Sequence, residues 1–157
     1  MKAHKYYLDL NWVGNTGTGT STYNAYQRDF ILSFQNKPDI LGSSDSIFLG
    51  DQKKHNPEDL FLASIATCHM LWYLHLCVDH KIVVLQYSDH PEGVLTLKKD
   101  GSGRFTEVTL HPKVVISDDS DVDKATSLHH VASQYCFIAN SLNFEVQYLP
   151  MTLVHGH

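Results

Sequence analysis

The chain has 157 residues, which fits one domain, and 43% of them are hydrophobic, a composition typical of a globular protein rather than a disordered one. Its formal net charge is −5 and no lysine or arginine cluster is present, which argues against binding of nucleic acid or of an anionic membrane surface. Three cysteines do not make a secreted disulfide scaffold, and the first ten residues contain no apolar signal segment, so we expect a cytoplasmic protein.

Two strands are predicted in the first third of the chain. Residues 5–13 alternate in polarity and are rich in aromatic side chains, and residues 27–34 place apolar side chains on one face. The glycines and threonines of residues 15–20 predict a turn between them, without the lysine and following helix of a phosphate-binding loop. Residues 37–39 and 42–46 are predicted to be loops.

A long helix is predicted for residues 57–80. Asn56 can cap it, Pro57 suits the first helical position, and Glu58 and Asp59 complement the helix dipole. Because the run is apolar nearly all round, we expect a buried central helix. Such a helix needs cover on every side in a small protein, and dimerisation is one way to supply it.

The longest apolar stretch of the sequence lies within this helix, at residues 60–78. Four polar residues interrupt it: Ser64, Thr67, His69 and His75. We therefore interpret it as too polar and too short to span a membrane, and we expect no membrane partner.

The second half of the chain alternates between strands and helices. The predicted elements are strands at 82–89, 93–99 and 104–117, a helix at 124–135, a short helix at 136–142 and a final strand at 144–149. Residues 100–103, with two glycines, predict a hairpin between the second and third of these strands. The order of elements is an α+β pattern without repeats, so we expect a single domain over residues 1–157.

Cys68, in the predicted long helix, is the first candidate for chemistry. A cysteine in an apolar helix is usually a small hydrophobic residue, and a nucleophilic thiol needs a nearby positive charge or a helix N-terminus. Cys77 lies nine residues further along, roughly 13 Å away on the axis and on the opposite side, whereas a disulfide needs Cα atoms within about 7 Å. We therefore interpret Cys77 as structural and Cys136, near another predicted helix start, as the resolving thiol.

Arg28 is the better of two arginines to supply a positive charge. It begins a strand beside two tyrosines, whereas Arg104 adjoins a glycine-rich hairpin and is expected to be solvated. Glu58 can hold the Arg28 guanidinium in a bidentate pair. On a straight helix Glu58 lies roughly 15 Å from Cys68. Either the helix breaks between them, or Glu58 serves the Cys68 of a second subunit, and we favour the second alternative.

The eleven histidines raise the question of a metal site. Neither His69 with His75 nor the adjacent His129 and His130 has the i, i+4 spacing of a helical zinc pair, and the sequence has no CxxC motif. We expect no metal and no cofactor.

Several segments resemble the OsmC/organic hydroperoxide resistance family. In that family an Asn-Pro-Glu motif precedes the reactive cysteine by the same interval, and a second cysteine segment precedes a final strand. The matching positions here are Asn56, Pro57, Glu58, Asp59, Leu60, Ala63, Ala66, Cys68, Cys136 and Asn140, with Trp12 and Gly14 similar to the N-terminal strand and turn.

The resemblance implies an α+β fold that forms an intertwined homodimer, with two central helices wrapped by antiparallel β-sheets and two active sites at the interface. It implies that the Cys68 thiolate attacks an organic hydroperoxide, and hydrogen peroxide less well, and that the sulfenic acid condenses with Cys136 to a disulfide. A dithiol reductant, of lipoyl type in the organic hydroperoxide branch, then reduces the disulfide. Glu58 carries over as the carboxylate that positions the arginine, and Arg28 as that arginine.

The chain departs from the family at Phe137 and Ala139, where a proline and a serine are common. We predict that Trp72, Tyr73 and Phe137 line the substrate pocket. A non-enzymatic alternative binds a small apolar ligand in the same pocket, with the cysteines as packing residues or a slow redox sensor. A histidine-rich metal protein is a third alternative, which would retain stoichiometric metal after purification.

Overall fold

The computed structural model describes residues 2–118 and 120–156, and the chain divides into two compact units, Met1–Leu60 and Phe61–His157. The first unit holds an antiparallel sheet in the order β1-β2-β3, formed by Asp9–Trp12, Phe30–Phe34 and Lys37–Gly42. Both predicted strands are confirmed, in shortened form. No large apolar side chain within residues 2–60 is fully buried.

The prediction that residues 37–39 and 42 lie in loops is wrong, because they belong to β3. A two-residue turn reverses the chain after β2, and Asn36 supplies its left-handed conformation with φ of 59°. Pro38 is tolerated because β3 is an edge strand, where a missing N–H breaks no ladder between two neighbours.

Helix α1 spans Pro57–Asp79, close to the predicted bounds. A reciprocal cap begins it: the Asn56 side chain accepts from the Asp59 N–H at 2.7 Å, and the Asp59 carboxylate accepts from the Asn56 N–H at 3.2 Å. One face is buried, through Ile65, His69, Tyr73, Leu76 and Cys77. The opposite side leaves apolar side chains exposed, Leu71 at 62% and Val78 at 74%.

By length and composition alone, α1 is apolar enough to cross a membrane, with a mean hydropathy of 1.5. The prediction that it is too short and too polar for this is therefore wrong, because four scattered polar residues lower the average too little. The core helix of a soluble protein passes the same test.

The second unit contains two three-stranded sheets. One has the order β4-β7-β9, and the other has the order β5-β6-β8. The strands are β4 Val84–Ser88, β5 Glu92–Leu97, β6 Gly103–Leu110, β7 Lys113–Ile116, β8 Val146–Tyr148 and β9 Met151–Val154. The predicted hairpin is confirmed, since β5 and β6 pair antiparallel around Gly101, whose φ is 84°.

The strand predicted at residues 104–117 is broken at Pro112, which separates β6 from β7. Pro150 likewise separates β8 from β9, a last strand that the sequence did not predict, and at each proline the chain passes from one sheet to the other. Proline cannot donate to a ladder, which makes it a natural end for a strand. The pairs β6–β8 and β7–β9 are parallel, so both sheets are mixed rather than antiparallel as expected.

Helix α2, Val122–Tyr135, begins where the Asp121 side chain accepts from the Lys124 N–H at 2.9 Å. Its buried face packs into a core with α1, β4 and β7. The short helix predicted next is reduced to a 3-10 turn at Ala139–Ser141.

A pair of histidines lies inside this otherwise apolar core. His69 Nε2 and His129 Nδ1 are 3.0 Å apart, and the two residues are 0% and 1% exposed. Burial lowers the pKa of His69 to about 4; burial, and then the neighbouring His69, lower the pKa of His129 to about 3. Both rings are therefore neutral near pH 7, and one donates its N–H to the other.

We expect the folded protein to lose stability as the pH falls from about 6.5 towards 4. The two folded-state pKa values lie below the ordinary 6.5, so the unfolded chain binds more protons in this range. Each histidine contributes at most about 1.4 kcal/mol per pH unit to the fall in the free energy of unfolding. Urea denaturation at a series of pH values measures it.

His129→Asn should make this decline shallower, whereas His130→Asn, which removes the neighbouring exposed histidine, should leave it unchanged. An equal effect of the two substitutions would contradict the assignment of the slope to the buried pair.

Candidate active site

The two thiols predicted to react lie on different helices of the second unit. Cys68 is in the fourth turn of α1 and is partly exposed. Cys136 ends α2, donating its N–H to the Ala132 carbonyl at 3.0 Å, and it is fully buried. Neither cysteine is in a disulfide. The Cys136 sulfur also accepts from the Ala139 N–H at 3.4 Å, which holds the thiol at the start of the following turn.

The structure places these thiols close enough to interact. Burial, and after it the interaction with the Cys68 thiol, raise the pKa of Cys136 to about 11, against the opposing effect of the Ala139 N–H. Cys136 is therefore a protonated thiol at neutral pH. A reachable sulfur next to a protected one is the arrangement that a two-step thiol reaction needs.

Cys77 does not take part in this interaction. It is 1% exposed, packs in the core beside α2, and burial raises the pKa of its thiol. Its structural position agrees with the sequence interpretation.

An aromatic cluster lies next to the thiol pair. The Trp72 ring, one turn after Cys68, is 5.1 Å from Tyr135 and 5.5 Å from Phe137 between ring centroids. Tyr135 and Phe137 flank Cys136 in sequence and are 50% and 67% exposed, so the cluster is open to solvent on one side. Sequence analysis named Trp72 and Phe137 but missed Tyr135, although its position next to Cys136 was a usable signal.

Tyr73 is not part of this surface. It is fully buried and its ring stacks on His129, with centroids 3.8 Å apart. Successive helical residues point about 100° apart, so Trp72 and Tyr73 could not both face the same pocket. We therefore remove Tyr73 from the residues expected to contact a substrate.

Arg28 lies in the first unit, between the rings of Tyr23 and Tyr26 at 4.4 and 4.2 Å from its central carbon. Its guanidinium donates to the carbonyls of the same two residues, at 2.6 Å each. The side chain borders an apolar cavity of about 410 Å³. The other lining residues are Leu10, Trp12, Phe30, Leu32, Pro57 and Leu60.

Glu58 lies in the first turn of α1, and within the described ranges no ion pair joins it to Arg28. The backbone carbonyls and tyrosine rings, rather than a carboxylate, orient the guanidinium in the single chain. Because α1 is unbroken, the alternative in which it breaks between Glu58 and Cys68 does not hold. The catalytic roles of Arg28 and Glu58 remain predictions.

No group of three or more histidine, cysteine, aspartate or glutamate side chains that could hold a metal is found among residues 2–118 and 120–156. The histidine-rich metal alternative therefore gains no support from the geometry. The closest histidines, His69 and His129, bind each other.

Comparison with known proteins identifies the family. A family model described as OsmC-like protein matches residues 50–148, a range that includes Cys68 and Cys136. An OsmC-like protein of unknown function from Vibrio cholerae is 28% identical, with a TM-score of 0.85 over 95% of this chain and 100% of that one. No curated protein matches the chain.

Two further solved structures share the fold at lower identity. The organic hydroperoxide resistance protein OhrB of Bacillus subtilis is 20% identical, with a TM-score of 0.62 over 93% of this chain and 98% of that one. An organic hydroperoxide resistance protein from Elizabethkingia anophelis is 19% identical, with a TM-score of 0.66 over 98% and 99%. Since the family model covers more than half of the residues, this chain belongs to the OsmC-like family, which includes organic hydroperoxide resistance proteins, and its α+β architecture is the OsmC-like fold.

Proposed function

We propose that this protein is a thiol-dependent peroxidase that reduces organic hydroperoxides and, less well, hydrogen peroxide. The observation that carries the proposal is the proximity of the partly exposed Cys68 thiol to the fully buried Cys136 thiol, close enough for Cys68 to raise the pKa of Cys136. Membership of a family that includes hydroperoxide resistance proteins supports it.

The reaction divides into two steps. The Cys68 thiolate attacks the distal oxygen of the hydroperoxide, so that an S–O bond forms, the O–O bond breaks and the alcohol leaves with one proton. The Cys136 sulfur then attacks the Cys68 sulfenic acid, giving a disulfide and releasing water. An external dithiol of lipoyl type then reduces the disulfide by thiol exchange.

The unequal burial of the two sulfurs suits this division of roles. Peroxide approaching from solvent meets Cys68, which is accessible. Cys136 stays protonated because of its raised pKa, so it does not compete for the peroxide. It already lies near Cys68, so the second step needs little movement.

The aromatic cluster of Trp72, Tyr135 and Phe137 supports a preference for organic over inorganic peroxide. Its partly exposed rings offer apolar contact area beside Cys68, which an alkyl or aryl hydroperoxide can use and hydrogen peroxide cannot. Arg28 would supply the positive charge that favours the thiolate, and Glu58 would orient Arg28.

The protein would act as a homodimer. The described part of the first unit has no fully buried large apolar side chain, and a three-stranded sheet of this kind needs cover. Leu71 and Val78 also leave the long helix apolar on its exposed side. A second copy would cover such surfaces and would bring its Glu58 to the Cys68 of the first copy.

Three free cysteines fit the reducing cytoplasm as the compartment in which the protein acts.

A non-catalytic alternative rests on the cavity beside Arg28. Its apolar lining and single cation suit a small amphipathic anion. Thiols that react with peroxide no faster than free cysteine would favour this alternative over the peroxidase.

Removing either reactive sulfur should stop the cycle at a different step. With cumene hydroperoxide, the wild-type chain should lose two thiols and about two mass units, the two hydrogens of disulfide formation. Cys68→Ser should not react, whereas Cys136→Ser should gain one oxygen and then stall or over-oxidise. Intact mass and free-thiol titration measure all three proteins.

Cys77→Ser is the matched control and should behave as wild type, because that thiol is buried away from the pair. Normal turnover of Cys136→Ser with a dithiol reductant would refute the resolving role.

The oligomeric state provides a separate test. Light scattering during gel filtration should give twice the chain mass of 17.8 kDa. Leu71→Asp, which introduces a charge on the exposed side of α1, should shift the protein towards the monomer, while Lys99→Asp on an exposed hairpin should not. A wild-type monomer at high concentration would exclude the dimer.

A further inference from the structure

The buried histidine pair joins the two helices that carry the thiols, yet the proposed chemistry does not use it. His69 directly follows Cys68 on α1. His129 precedes Cys136 by seven residues, which is two helical turns, so both lie on the same side of α2. A single hydrogen bond of 3.0 Å therefore joins the helix that carries Cys68 to the helix that ends at Cys136.

Ring stacking restricts the pair from both sides. Tyr148, on β8, lies 4.5 Å from the His69 ring, and Tyr73 lies 3.8 Å from the His129 ring, between centroids. Burial raises the pKa of Tyr148, and the charges of the Cys136 and Cys68 thiolates would raise it further, so this ring lies within electrostatic range of both thiols. The ring contacts thus connect α1, α2 and β8.

The His69–His129 pair does little to stabilise the folded protein. His69 Nδ1 and His129 Nε2 are buried without a hydrogen-bond partner in the described chain. Each such atom loses its hydration without compensation, and this cost exceeds the net stabilisation that one hydrogen bond contributes. Apolar side chains of similar volume would stabilise the core more, so the pair calls for a different explanation.

A hydrogen bond differs from apolar packing in having a direction. Sliding α2 along α1 by a fraction of a turn would break the bond and leave two further ring nitrogens unpartnered, while apolar side chains would tolerate the slip. The pair therefore fixes the register of the two helices that carry Cys68 and Cys136.

We propose that the His69–His129 hydrogen bond positions Cys136 against Cys68 for disulfide formation. Both histidines are positioning residues, because they act through the helices rather than by touching the peroxide. This inference rests on the proposed function for its peroxide readout, and it concerns the second step of that reaction only.

The test compares His129→Leu, which removes the hydrogen bond, with His129→Asn, whose amide can occupy the place of Nδ1. With organic hydroperoxide, the rate of sulfenic acid formation should be unchanged in both variants. Disulfide formation should slow by about tenfold or more in His129→Leu, with more sulfinic acid by mass, and should be largely restored in His129→Asn. His130→Leu, at the adjacent exposed position, is the matched control.

A second readout does not depend on peroxidase activity. Equilibration with dithiothreitol measures how strongly the Cys68–Cys136 disulfide is favoured, and we expect it to weaken by about tenfold in His129→Leu but not in His129→Asn. If His129→Leu does not fold, His69→Gln, whose amide can replace Nε2, is compared with His69→Leu in the same assays. Urea denaturation verifies that each variant is folded.

The outcomes separate the two proposals. A wild-type protein that forms no disulfide with peroxide but does so in the dithiothreitol equilibrium contradicts the peroxidase and leaves the positioning test intact. Folded leucine variants with an unchanged disulfide equilibrium overturn the positioning role. Asparagine and leucine variants that are equally impaired also overturn it, since the hydrogen bond would then not be the cause.

Discussion

The apolar surface of α1 has to be covered on every side, and much of the second unit follows from that requirement. One face is closed by α2 and the strands β4 and β7, which together form the main core. The first half of the helix packs in a second cluster with β6 and β8. Because the same helix carries Cys68, His69 and Trp72, covering it also assembles the site. Fold and chemistry therefore depend on one helix.

Local sequence signals predicted the elements that are determined locally. The Asn56 and Asp59 cap fixes the start of α1, and the alternating polarity of β1 and β2 reveals the first sheet. The sequence did not predict the structure correctly where a strand's boundaries or its sheet depend on pairing with residues far away in the chain. Pro112 can end a strand, but nothing near it predicts that the next strand joins another sheet, because the partner of β7 is the distant β9. Likewise, β3 follows from a turn at Asn36 that composition alone did not distinguish from a loop.

The candidate site shows the same limit. Both cysteines of the candidate site could be named from the sequence, because helix geometry excluded Cys77 and left one partner. The histidine pair could not be named, since His69 and His129 are 60 residues apart and no spacing rule relates them. Tyr73 was assigned to the wrong environment for a related reason: an all-apolar helix gives no indication of which side faces the core.

The parallel strand pairs set an order of assembly. β6 and β8 pair through Val108 and Val146, and α2 with Cys136 lies in the connection between them. Such a long-range pairing forms late, because a large loop must close first. During synthesis Cys136 therefore emerges before the strands that complete its surroundings. Until β8 and β9 join their sheets, the nascent chain carries an unprotected thiol that is open to premature oxidation.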